Sequence, residues 1–192
     1  HTIKLLSTID TEGALDVHIA KLAKLDPYRI YRKPPGGRQK RSGANWNCKA
    51  LVGHQLLINL GICSKFEDKL YVKESILKQG KYININEGTY SEGPTTYDLF
   101  PRVWLADMLM SNYDGVKKKE LLQFIENGFY SSLFLQLPNG SLLGCGRSSH
   151  HLWAQGLQCC LFEIASQFFF SQGKTSDAMV FKSASSLAFS FL

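Results

Sequence analysis

One feature constrains this chain more than any other. From residue 12 onward, apolar side chains recur three and four positions apart, in stretches several helical turns long that glycine or proline closes. Residues 12–25 place Leu15, Ile19, Leu22 and Ala23 at that spacing, and Asp26-Pro27 ends them, because the residue before a proline leaves the helical region. Residues 45–60 follow, helical from about Asn47, with Asn45 as the expected N-cap and Gly61 as the stop. Ser64, with Glu67 three positions on, predicts a capping box for a helix over 64–79 that Gly80 closes. Thr95 or Thr96 is expected to cap a helix over 97–112, with Pro101 near its start. A helix over 117–136 carries Leu121, Leu122, Ile125, Phe129 and Leu133 on one side, and Pro138-Asn139-Gly140 turns the chain. A helix over 149–171 ends at Gly173, and Thr175 opens the last. About seven helices joined by short turns predict an all-α fold of consecutive helical hairpins, as in a helical toroid or solenoid. Only residues 82–94 break the pattern: Ile83 and Ile85 alternate with Asn84 and Asn86, which predicts one short extended segment near 82–89.

Composition narrows the class. A chain of 192 residues with 44% apolar and 20% charged residues has the makeup of a globular protein, so disorder is excluded as the general state. It reads as one helical domain over 1–192. The His1 start and the apolar ending SSLAFSFL are read as marks of a piece of a longer chain. No apolar stretch approaches the roughly 18 residues a membrane span needs. The net charge of +6 is partly gathered in a basic Pro/Gly loop at 29–44 (RIYRKPPGGRQKR over 29–41). Such a run either attracts acidic partners or is a solvated surface. The five cysteines (Cys48, Cys63, Cys145, Cys159, Cys160) form no CxxC pair, so a disulfide framework and a Cys-based zinc site are poorly supported. Cys48, Cys159 and Cys160 lie in apolar helical contexts and read as small buried hydrophobes. The absence of HExxH, P-loop and G-x-S-x-G motifs disfavours zinc proteases, P-loop NTPases and α/β-hydrolases. No metal or cofactor is implied.

Polar chemistry concentrates in LLGCGRSSHHLWAQGLQCCLF, where a loop is expected to run into a helix. Binding groups favour such places, because a rigid element positions them while they stay accessible. Arg147 has the planar fork that grips a carboxylate by both oxygens; a structural ion pair is the alternative. His150 and His151 titrate near neutral pH and are candidate bases, although adjacent residues cannot share one helical face. His151 and Gln155 are four apart and would share a face, as would His150 and Trp153. Trp46, Trp104 and Trp153 are candidate sugar platforms, with core packing as the other reading, and Trp46 is favoured by its polar neighbours. Tyr90 and Tyr97 flank a loop of glutamates and glycines and are candidate acids. Asp98 and Arg102, four apart, fit a helix-surface ion pair, and Arg102 is also a candidate for the substrate surface. His54 sits in an apolar helix and reads as structural.

Three segments carry a resemblance. NW-x-C-x-A-x-x-G-x-x-L (from Asn45), EGTYSEGPTTYDLFPRVWLADML (from Glu87) and LFLQLPNGSLLGCGRSSHHLWAQGLQCCLFEIA (from Leu133) are similar to α/α-toroid proteins of the heparinase II/III-like or DUF2264-like type. The clearest motif is G-R-S-x-x-H-x-W. The resemblance implies that the hairpins form part of an (α/α) toroid. It also implies action on a polysaccharide, and secretion or an extracytoplasmic place. In lyases of that class one group neutralises a uronate carboxylate, a base removes the proton on the adjoining carbon, and an acid protonates the leaving oxygen. Carried onto this chain, Arg147 and Asn45 hold the carboxylate, His150 or His151 is the base, and Tyr90 or Tyr97 the acid. Trp46, Trp153, Gln155 and Arg102 complete the substrate surface. The implied partner is an acidic polysaccharide or oligosaccharide, not nucleic acid. A glycoside hydrolase on a similar toroid would need two carboxylates, for which Glu87, Glu92 and Asp98 are the candidates; a non-catalytic sugar binder is the third reading. The chain departs from its relatives after Trp153, where Ala154-Gln155 replace Asn-Glu.

Overall fold

A computed structural model describes residues 13–24, 44–61, 65–93, 95–148 and 151–192. The basic loop's run at 29–41, the expected Ser64 cap, Cys63 and His150 lie outside them. The described residues form seven helices and one two-stranded ribbon: α1 (Asp16–Ala23), α2 (Ala44–Asn59), α3 (Lys65–Gln79), β1 (Ile83–Asn84), β2 (Thr89–Tyr90), α4 (Thr96–Met110), α5 (Lys118–Phe134), α6 (Leu152–Ser171) and α7 (Thr175–Phe191). The fold is all-α.

The even-numbered helices make one layer. Helix α2 packs on α4, and α4 on α6, while α3, α5 and α7 each lie against the helix before them. Each layer runs parallel, hairpin after hairpin. Asn59, at the end of α2, donates to the carbonyl of Ser111, at the end of α4, 52 residues on. At the other end Asn45 meets Glu92, and Phe100 meets Trp153. In the odd-numbered layer Lys174 pairs with Glu126, Asp177 accepts from Tyr130, and Gln136 donates to the carbonyl of Ala184. Those separations of 47 and 48 residues define a repeat that the sequence does not display. The hairpin α6/α7 is antiparallel: Cys159, Glu163 and Ser166 face Ser185, Lys182 and Ala178 in turn.

The core between the layers is aromatic. Phe129, Phe162, Phe169 and Phe181 come from α5, α6 and α7, are fully buried, and stack or meet edge to face at centroid distances of 5.3–6.0 Å. Gly173 (φ +73) ends α6 in the left-handed conformation that glycine adopts without a steric cost. The ribbon β1/β2, paired Ile83 with Tyr90 and Asn84 with Thr89, sits on α5. Asn127 donates to the carbonyls of Ile85 and Asn86, and Ser131 to that of Glu87.

Two caps differ from expectation. Helix α2 begins at Ala44, so Asn45 lies inside its first turn and is not the N-cap. Thr95 does hold the N-cap place of α4, but its hydroxyl makes no capping bond. It donates instead to the carbonyl of Cys145, and Thr96 donates to that of Ser148 at 3.2 Å. Tertiary partners have taken over both hydroxyls, and so tie the loop after β-turn 137–141 to the head of α4.

Candidate functional site

The N-termini of α2, α4 and α6 come together at one end of the even-numbered layer, and the loop 143–148 lies on the head of α4. Arg147 is exposed, with its guanidinium carbon 4.0 Å from the centre of the Tyr97 ring. Stacking of this kind orients the fork while leaving its N–H groups for a ligand. The Tyr97 hydroxyl is 3.3 Å from Ser148 Oγ. Gly146 and Ser148, on either side of Arg147, both have φ in the left-handed region (82 and 63), which makes the chain turn sharply around the arginine.

His151 is exposed and is the N-cap residue of α6, one residue before the helix proper. Its ring lies nearly parallel to Trp153, 6.4 Å between centroids. Trp153 is 43% exposed and meets Phe100 edge-on; Phe100 in turn meets Trp104, and Lys49 reaches over the Trp104 ring at 5.6 Å. Tyr97, Phe100 and Trp104 are partly exposed, at three- and four-residue spacing on one face of α4. The outcome is a surface of aromatic faces and edges that also carries Arg147, His151 and Lys49. Three helix N-termini behind it add positive potential, because their first N–H groups have no partner inside the helix.

Three residues expected on the substrate surface are interior. Tyr90 is 2% exposed, and its hydroxyl donates to Gln79 Oε1 at 2.5 Å. Burial pushes this phenol above its ordinary range, with Cys48 and Glu92 adding to the shift, so it is no proton donor to an outside ligand. Arg102 is 1% exposed, pairs with Asp98 and donates to the carbonyl of Gly128. The pair with Asp98 is therefore a core feature rather than a surface one. Burial pushes the Asp98 carboxyl up and the Arg102 guanidinium down; each charge opposes the shift of the other, and the Tyr90 N–H adds to the stabilisation of the carboxylate. Gln155 is buried too, and its Oε1 accepts the N–H of Leu142 at 2.9 Å. It holds the loop, not a ligand.

Asn45 is also buried, but at the edge of the surface. Glu92 accepts both its backbone N–H and its side-chain N–H. The side chain of Trp46 lies outside the described ones. His54 is buried, as its apolar neighbours suggested, and so is Cys48, whereas Cys160 is exposed. Phe100, Lys49 and Ser148 were not singled out for this surface, and Glu92 was named only as a hydrolase carboxylate. The spacing of Tyr97, Phe100 and Trp104 was a usable signal for Phe100; nothing local could have joined Glu92 to Asn45, 47 residues away.

Of the three carboxylates named for a hydrolase, Asp98 is locked to Arg102 in the interior. Among the described residues no group of three His, Cys, Asp or Glu side chains converges on a metal position, and no helix is long and apolar enough to cross a membrane. A cavity of about 430 Å³ lies at the opposite end of α2 and α4, lined by Gln55, Ile58, Asn59, Asn112 and Tyr113 among others. It contains none of the candidate residues. The polar and aromatic chemistry belongs to the open N-terminal surface. Comparison with protein-family models, with curated proteins and with solved structures found no match.

Proposed function

We propose that this chain is part of an (α/α) toroid acting on a uronate-containing polysaccharide by β-elimination, with its site at the N-terminal end of the even-numbered helices. The observation that carries the reading is Arg147, held over the Tyr97 ring and open to solvent, beside the His151–Trp153 stack. Alternation of even- and odd-numbered helices in register supports the toroid.

In this reading Arg147 binds the carboxylate of the sugar and lowers the pKa of the adjoining carbon acid. His151 takes that proton; the electron pair it leaves forms the new double bond as the glycosidic carbon–oxygen bond breaks. Tyr97, the tyrosine of the two candidates that reaches the surface, gives its proton to the leaving oxygen. Trp153 supplies an apolar face for a sugar ring. Because Gln155 bonds a backbone N–H through its oxygen, which a glutamate oxygen would do equally, the change from Asn-Glu to Ala154-Gln155 bears on support of the loop rather than on proton transfer.

Ultraviolet absorbance of the protein with a panel of acidic polysaccharides is the test, since elimination creates a conjugated double bond. A rise on one polymer, falling at least about 100-fold in Arg147→Ala, is expected, as for a lost charge-stabilising donor. A flat trace on every polymer, from folded protein, overturns the lyase reading. Quenching of Trp153 fluorescence by the same polymers would then identify a non-catalytic binder.

A further inference from the structure

We propose that Glu92 is an internal stand-in for the substrate carboxylate, seated on Asn45 and displaced when an acidic sugar binds. The proposal rests on the reading of this surface as a uronate site.

Oε1 of Glu92 accepts the Asn45 backbone N–H at 3.3 Å, while Oε2 accepts from Asn45 Nδ2. One carboxylate thus spans two donors, as a bound ligand would. The backbone donor belongs to the first turn of α2, where N–H groups lack intrahelical acceptors and negative charge is favoured. The amide is turned for this purpose. Asn45 is 4% exposed, and its Oδ1 has no hydrogen-bond partner among the described residues. A buried carbonyl without a partner is costly, so the orientation that presents Nδ2 to a carboxylate is kept against a local penalty. Glu92 itself is only partly buried, on the segment between β2 and α4, and so has solvent on one side.

Asn45 adjoins the rest of the surface. Lys49, one turn further along α2, reaches Trp104, which leads through Phe100 to Trp153. A uronate seated on Asn45 would need the volume Glu92 fills, and two carboxylates cannot share those donors. Apparent affinity for an acidic sugar is therefore lowered by the fraction of molecules in which Glu92 occupies the position. The device favours ligands whose charge can compete with Glu92, and neutral sugars gain nothing from displacing it.

The experiment uses the whole chain, an unsulfated oligouronate, and a neutral oligosaccharide of equal length. Kd is measured by calorimetry, and the Asn45 side-chain amide is followed by nitrogen-15 NMR. In Glu92→Gln the oligouronate should bind about fivefold tighter or more, the neutral sugar should show no gain, and the Asn45 amide should shift on binding. In the unaltered protein, saturation should move the same resonance away from its Glu92-bonded position, a readout that needs no variant to fold. Equal Kd values with the Asn45 resonance unmoved, or no oligouronate binding to either protein, overturn the proposal. Failure of the functional reading is separate: Arg147→Ala would then bind the oligouronate as tightly as the unaltered protein.

Discussion

At the scale of single residues, two glycines meet with no room for a side chain. A Cβ on Gly88, which has φ +64, would come within 2.1 Å of the backbone N of Gly128. A Cβ on Gly128 would lie 2.7 Å from Arg102 Cδ and 2.9 Å from the Gly88 carbonyl oxygen. The β-ribbon therefore seats on α5 only because neither position has a side chain, and the buried Arg102 lies directly beneath. Gly88→Ala should destabilise the fold by about 2 kcal/mol or more, from overpacking together with the cost of φ above zero for alanine. Urea denaturation checks this, and a midpoint equal to that of the unaltered protein would refute the account. Thr95 shows the same logic at a non-glycine. Its φ of 65 is an uncommon conformation for a β-branched residue, and its hydroxyl bond to Cys145 helps hold it there.

At the scale of elements, the loop 143–148 depends on the helices it crosses. Thr95 and Thr96 bind it to α4, and Gln155 binds the Leu142 N–H to α6. Gln155→Leu leaves a buried N–H without a partner and should cost about 1–3 kcal/mol. Gln155→Glu keeps an acceptor and should retain most of the loop's protection. Amide hydrogen exchange of Leu142 reads both: fast exchange in the leucine variant with protection in the glutamate variant is expected, and equal exchange in the two would show that the side chain does not hold the loop.

At the scale of the whole molecule, one aromatic cluster joins the last two hairpins. Phe181, on α7, touches Phe129 and Tyr130 of α5 and Phe162 and Phe169 of α6. Phe181→Ala should lower stability by about 3–5 kcal/mol. Because α5, α6 and α7 share that cluster, far- and near-ultraviolet circular dichroism should still report one coincident unfolding transition; separated transitions would mean that α6/α7 unfolds on its own.

What the sequence determined by itself was local. Apolar spacing and glycine or proline stops located α2 to α7 within a few residues, and the alternation around Ile83 located the ribbon, because helix and strand periods are written in neighbouring side chains. The stretch around Arg147 stood out in the sequence by its concentration of polar residue types, and it is a loop leading into α6. What only the tertiary structure decided was which side chains face outward and which meet. Arg102 and Tyr90 have the same residue types a site would use, yet they are interior, since an ion pair or a hydrogen bond with a partner from the fold satisfies them there. Asn45 and Glu92 lie 47 residues apart in sequence and touch in space, because one hairpin returns the chain to the same end of the α2/α4 layer. Contacts of that kind depend on the packing of whole helices, and no local spacing records them.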